Sequence, residues 1–236
     1  MAGIKALAFD VGGSVFDWKG AVSAVARRQA GRAGVAVDAE AVAMRWRQAM
    51  FATLGRLHRG EIAPCNMDAM LAMALDEVAA DFPAMPFPDA GRAELLQAWH
   101  EMDAWEEFPA ALARMKTKYV TAVVSVLSFA ILVDSSKHAG LAWDALISCE
   151  FLGAYKPRPE AYIAGARLLG LAPEQVCFVA VHPADLLAAK ATGMTTAYVT
   201  PKSGEPDMPG LTVPHRPAEH DFNAGSYAEL CDLLGC

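Results

Sequence analysis

Downstream of residue 106, short apolar runs alternate with helical stretches, and this alternation restricts the chain to few architectures. Residues 119–124 and Thr195–Val199 are rich in β-branched side chains, 176–181 is a continuous apolar run, and Ala145–Ser148 is a shorter strand. Helical stretches at 130–139, 158–169 and 183–192 separate them, the first two closed by Gly140 and Gly170, as glycine commonly closes helices. Strands separated by helices build βαβ units, and these require a parallel sheet covered on both faces. A further apolar run at 4–9 must join the same sheet. Residues 19–106 show no strand pattern. They read as helices over 20–36, 38–58 (with Asp38 as N-cap), 66–80 and 89–100, the last following a Pro-rich break at 82–88. The expected fold class is therefore α/β: a core of residues 1–16 and 107–236, with an all-helical unit at 17–106 inserted after the first strand.

The first strand ends in Asp10, followed by Val11-Gly12-Gly13-Ser14. Paired glycines stop the strand, and a carboxylate at the C-terminal edge of a buried strand sits where open α/β sheets bind ligands. Backbone N–H groups of such a turn, near Val11 and Gly12, can point at an anion. From spacing alone, an ordinary Asp-containing turn remains an equal reading.

The segment Phe9-Asp10-Val11-Gly12-Gly13-Ser14-Val15-Phe16-Asp17-Trp18 resembles the first motif of the haloacid dehalogenase (HAD) superfamily, and its Phe16-Asp17-Trp18 is similar to the type II 2-haloacid dehalogenase branch. The resemblance extends over roughly residues 3–200. It implies a Rossmann-like parallel-sheet core with a helical cap, a nucleophilic Asp10, and Val11, Gly12, Ser14 and Tyr162 among the residues at the substrate. Ser125, at a strand exit, matches the hydroxyl that holds a substrate's anionic group, with Val126 next to it. Lys156-Pro157-Arg158-Pro159-Glu160-Ala161-Tyr162 looks like the family's Lys-Pro segment, with Lys156 as the cation that keeps Asp10 ionised and Tyr162 six residues on. The run Phe178 to Asp185 carries His182 and Asp185, which the resemblance assigns to orienting or deprotonating a water. Trp46-Arg47-Gln48 is similar to the cap segment whose arginine reaches the halide, so Arg47 is expected there beside Trp18 and Phe51.

The departures fall in the pocket. Gly12 stands where relatives carry a bulky aromatic and Val126 where they carry Asn. His182 also stands at an Asn position in many dehalogenases, Ser14 replaces Thr and Ala180 replaces Ser. Losing a polar contact that matters only in the transition state costs about 2.7–4 kcal/mol, the cost of an oxyanion-hole donor. Magnesium phosphatases of the superfamily need carboxylates at the positions of Gly12 and Val181, so no metal and no other cofactor is expected; a hard octahedral cation wants more oxygen ligands than Asp10 and Asp185. The expected activity is hydrolysis of a small 2-halocarboxylic acid through an Asp10 ester, to give the 2-hydroxy acid. The same chemistry on another leaving group, as in azetidine-2-carboxylate hydrolases, and a catalytically degenerate binding protein remain as alternatives.

Partners are bounded by composition. A net charge of −7 with no basic block argues against nucleic acid. The most apolar segment, 119–133, is shorter than the ~20 residues of a membrane span. Five cysteines without metal-ligand spacing read as reduced thiols in a cytoplasmic protein. The partner expected is a small carboxylic acid; oligomeric state stays open, though relatives are commonly homodimers.

Overall fold

The computed structural model describes residues 3–202, 205 and 213–236. Six parallel strands form one sheet: β1 (Ala6–Phe9), β2 (Val120–Ser125), β3 (Ala145–Ser148), β4 (Val176–Ala180), β5 (Thr195–Val199) and β6 (Phe222–Ala224), in the order β3-β2-β1-β4-β5-β6. All four residues of β1 are buried, which is why it reads as an unbroken apolar run rather than an alternating one. Its register pairs Phe9 with both Val123 and Val179. The chain leaves β1 for β2 on one side while β4 lies on the other, so the strand order reverses at β1. The crevice outside such a reversal, at the carboxyl ends, is where open α/β sheets take ligands. Register thus brings Asp10, Ser125 and His182 to one edge.

The insertion after β1 carries four helices: α1 (Trp18–Ala33), α2 (Ala39–His58), α3 (Met67–Asp81) and α4 (Asp89–Ala98). Asp17 starts α1 by accepting from the Gly20 amide at 2.8 Å. Gly34 ends it in the left-handed region (φ 68°), which costs glycine nothing. Asp38 caps α2 as expected, accepting from the amides of Glu40 and Ala41, and Asn66 caps α3. The Trp46 indole donates to the Leu71 carbonyl at 2.9 Å, tying α2 to α3. Trp99 stacks on Trp18 and meets Trp46 edge-on, each at 5.8 Å. Each such ring buries apolar surface worth roughly 1.5–3 kcal/mol. One continuous apolar core runs from Phe9 and Val123 in the sheet to Trp46 and Leu71 in the helices.

The remaining helices are α5 (Phe108–Met115), α6 (Phe129–His138), α7 (Pro159–Leu168), α8 (Pro183–Lys190) and α9 (Tyr227–Leu234). Two elements were not foreseen, α5 and β6. The latter is three residues long, too short for any periodic pattern, and exists through its pairing with β5. The terminal helix then begins at Tyr227, where Ser226 caps it by accepting from Glu229 N. The Pro- and Gly-rich stretch at 202–217 lies mostly outside the described residues.

Candidate active site

Asp10 follows β1 directly, and three side chains converge on its carboxylate. Lys156 Nζ donates to Oδ1 at 2.9 Å, Ser14 Oγ donates to Oδ2 at 2.8 Å, and His182 Nδ1 lies 3.3 Å from Oδ2. Ser14 is itself fixed by the Val181 amide, which donates to its Oγ at 3.2 Å, so the turn after β1 is clamped to the end of β4. Burial works against ionising Asp10, but the Lys156 ammonium and the His182 imidazole outweigh it and hold the carboxyl well below the usual range.

Lys156 precedes α7 and donates its second hydrogen bond to Asp185 Oδ2 at 2.7 Å. Burial alone lowers a lysine's pKa; here the charges of Asp10 and Asp185 overcome that and push it up. Asp185, in the first turn of α8, also accepts from the Tyr162 hydroxyl of α7. Its own pKa is raised, first by burial and then by the neighbouring Asp10 charge, against the pull of Lys156. Tyr162 is raised by burial and by the Asp185 charge and stays a donor.

A cavity of about 410 Å³ opens over Asp10. Of the residues expected to act, Asp10, Gly12, Trp18, Arg47, Ser125, Val126, Lys156, His182 and Asp185 line it, with Met50, Phe51, Leu54 and Trp99 making the apolar wall. Val11, Ser14 and Tyr162, expected at the substrate, stand behind that wall. Ser14 and Tyr162 spend their hydroxyls on the two carboxylates, and the Val11 carbonyl accepts from the amides of Val15 and Phe16 to close the turn. Ser125 Oγ accepts from the Leu127 amide at 3.2 Å, which shapes the turn after β2. A Cβ placed on Gly12 would meet only Leu127 Cδ1, at 4.0 Å, so that corner is open space. Among the described residues no group of three His, Cys, Asp or Glu is arranged to hold a metal ion.

A family model described as haloacid dehalogenase-like hydrolase matches residues 4–193. The chain belongs to that family. (S)-2-haloacid dehalogenase 4A of Burkholderia cepacia is 27% identical over 237 residues, covering 98% of this chain and 95% of the relative. Hexitol phosphatase A of Escherichia coli is 27% identical over 86% of this chain and 89% of its own length. The crystal structure of the defluorinating L-2-haloacid dehalogenase Rha0230 superposes with a TM-score of 0.88 at 29% identity, over 99% of this chain and 96% of that one. No helix among the described residues is long and apolar enough to cross a membrane.

Within this dehalogenase-like hydrolase, two of these side chains have partners that the sequence does not announce. The resemblance gives His182 a part in orienting or deprotonating a water. Its ring instead lies between two carboxylates, Asp10 at Nδ1 and Glu205 at Nε2 (3.4 Å). Burial lowers a histidine's pKa, but those two neighbours push it up to about 9, so near neutral pH the ring is a cation with no lone pair to act as a base. It occupies the N-cap position of α8 without capping it. Arg47 does face the cavity, its guanidinium between the rings of Trp18 and Phe51 at 5.2 Å from each. It also pairs with Glu205 at 3.3 Å, so its charge is already shared. Glu205 is the residue in contact with this site that the sequence does not mark. It lies in the unpatterned connection between β5 and β6 and has no signal in periodicity or motif.

Proposed function

We propose that this hydrolase cleaves a small 2-halocarboxylic acid through an ester on Asp10, with the helical block 17–106 serving as a cap domain over the 1–16 and 107–236 core. The observation that carries the reading is a buried carboxylate at the floor of a largely apolar 410 Å³ cavity, held by an ammonium it shares with a second carboxylate. Asp10 attacks C2 of the acid, a C–O bond forms, and the halide leaves with the C–X electron pair. Oδ2 receives two donors and Oδ1 one, so Oδ1 is the attacking oxygen and Oδ2 becomes the ester carbonyl. Ser14 and the His182 imidazolium then face that carbonyl oxygen when water adds to its carbon, and stabilise the charge that develops there. Asp185, with its raised pKa, takes the proton from the water. Collapse releases the 2-hydroxy acid and restores Asp10.

The substrate carboxylate meets Ser125 and the backbone beside Gly12, and Arg47 faces the leaving group across the cavity. Val181 is apolar and Gly12 has no side chain, so the carboxylates on the cavity wall are Asp10 and Asp185, both bonded to Lys156. That supports chemistry without a metal. A second reading rests on His182: an imidazolium beside the nucleophile suits a leaving group that must gain a proton, such as the ring nitrogen of azetidine-2-carboxylate.

Intact-protein mass after mixing with a panel of 2-halocarboxylates and azetidine-2-carboxylate, in the presence of EDTA, tests both. A transient adduct that maps to Asp10, with free halide or ring-opened acid as product, is the expected result. Turnover of phosphate esters only on adding magnesium, with no adduct, would overturn the proposal.

A further inference from the structure

We propose that Glu205 is a positioning residue of this site, the anion that lets the cationic side chains of Arg47 and His182 stand against each other beside Asp10. Arg47 Nη2 and His182 Nε2 approach to 3.4 Å, and both are nitrogen groups that carry hydrogen. Two such groups meet only if an acceptor joins them or one loses its charge. Glu205 Oε1 is that acceptor, 3.3 Å from Arg47 and 3.4 Å from His182. The Trp18 indole N–H donates to both carboxylate oxygens, at 3.0 and 2.9 Å, and fixes the group in place. The side chain is 4% exposed, and a buried carboxylate of this kind is retained only where it is paired.

The glycine turn is built around this residue. Gly13 takes φ 80°, and a Cβ there would overlap the Glu205 carboxyl group. The backbone that follows the nucleophile thus leaves room for a side chain 192 positions further on. Among the described residues, the charged groups that face His182 are Asp10 after β1, Arg47 on α2, Asp185 on its own helix, Lys156 across the Asp10 carboxylate, and Glu205. Of the anions, Asp10 already answers to Lys156, and it loses its charge whenever it carries the ester. At that stage Glu205 is the described carboxylate that still faces both Arg47 and His182. It therefore keeps His182 a donor at the moment when the ester carbonyl needs one. This consequence rests on the Asp10 ester reading; the charge state of His182 in the free protein does not.

The test follows His182 by imidazole NMR across a pH titration in the full-length protein, in Glu205→Gln and in Glu205→Asp. The wild-type ring should stay charged through neutral pH. Glu205→Gln should titrate about one to three units lower, the usual effect of one adjacent charge, and Glu205→Asp should recover most of that loss. With 2-bromopropionate, the Asp10 adduct in Glu205→Gln should break down about 10²-fold more slowly above the lowered pKa, the cost of one oxyanion donor, and at the wild-type rate below it. An unchanged His182 titration in a folded Glu205→Gln overturns the proposal. So does a wild-type His182 that is neutral at about pH 7, a result that needs no variant to fold. If no substrate reacts, the ester reading fails while the NMR arm still decides the role of Glu205.

Discussion

Replacing Lys156 by methionine removes the one cation shared by two buried carboxylates while keeping the length and apolar stem of the side chain. Asp10 Oδ1 and Asp185 Oδ2 both touch its ammonium, at 2.9 and 2.7 Å, so they lie within about 6 Å of each other. At that separation two unit charges repel by about 3 kcal/mol at an effective dielectric of about 20, or about two pKa units. Removing one partner of a buried ion pair costs about 3–5 kcal/mol, and the repulsion falls inside that range. The cost must depend on pH. Without the ammonium, the folded protein holds a proton on the pair more tightly than the unfolded chain does, so stability declines as pH rises. The penalty relative to wild type should therefore be largest at about pH 8 and shrink towards about pH 5. His182 and Ser14 still hold Asp10, so the proton goes to Asp185, whose pKa is already raised. The variant should then form the Asp10 ester and fail to release it near neutrality. Urea unfolding of both proteins at the two pH values measures the first effect, and intact mass after a substrate pulse measures the second. A penalty below about 1 kcal/mol, or one equal at both pH values, would refute the coupling of these two carboxylates.

Three further outcomes are expected. Gly12→Tyr with Val126→Asn should raise turnover of small haloacids, since the Gly12 corner is open and Val126 lines the cavity without a polar group; steady-state rates on 2-chloropropionate check this, and slower turnover in the folded double variant would count against it. Gly13→Ala should lower stability by about 1–3 kcal/mol, because it forces a left-handed φ on alanine and collides with Glu205; thermal melting reads it. His100 lies between Asp68 of α3 and Asp134 of α6, at 2.8 Å from each, and the Asp68 hydrogen bond leads the causes that raise its pKa, against partial burial. Its contribution is complete below the ordinary histidine value and is lost as pH rises through the raised one, so the stability gap between wild type and His100→Gln should close on going to alkaline pH.

Much of the site could be read because its residues sit at fixed places relative to strands. Asp10 and His182 follow the ends of β1 and β4, Ser125 closes β2, and a parallel register must gather such positions at one edge. Lys156 precedes α7 and Asp185 stands in the first turn of α8, both at that edge. What escaped depends on three-dimensional closure. Glu205 contacts Trp18 across 187 positions from a connection with no hydrophobic period, and nothing local marks it. The misassigned role of His182 has the same origin, because a histidine's charge is set by neighbours, and half of that pair was unseen. The helix α5 was legible in principle: Phe108, Ala111, Leu112 and Met115 line one face, and Pro109 stands in its first turn. It was passed over because it borders the change from helical insert to alternating core.

The pairing of His182 with Glu205 also bears on how this pocket could have come to differ from that of a dehalogenase with asparagine at position 182. An imidazolium and a carboxylate added together leave the net charge of the site unchanged: among the described residues, Asp10, Asp185 and Glu205 stand against Lys156, Arg47 and His182. Either one added alone would bury an unmatched charge, at about 3–5 kcal/mol. The two positions should therefore be strongly non-additive. His182→Asn leaves Glu205 with Arg47 and the Trp18 indole, and Glu205→Gln leaves two cations at 3.4 Å. The combined change returns a site with two anions and two cations, so a thermodynamic cycle on unfolding free energies should give a coupling near the upper end of the range for contacting residues, about 2–3 kcal/mol. A coupling within about 0.5 kcal/mol of zero would mean that the two side chains act independently. The neutral balance of the pocket would then be an accident of composition rather than a constraint on which residues can occupy it.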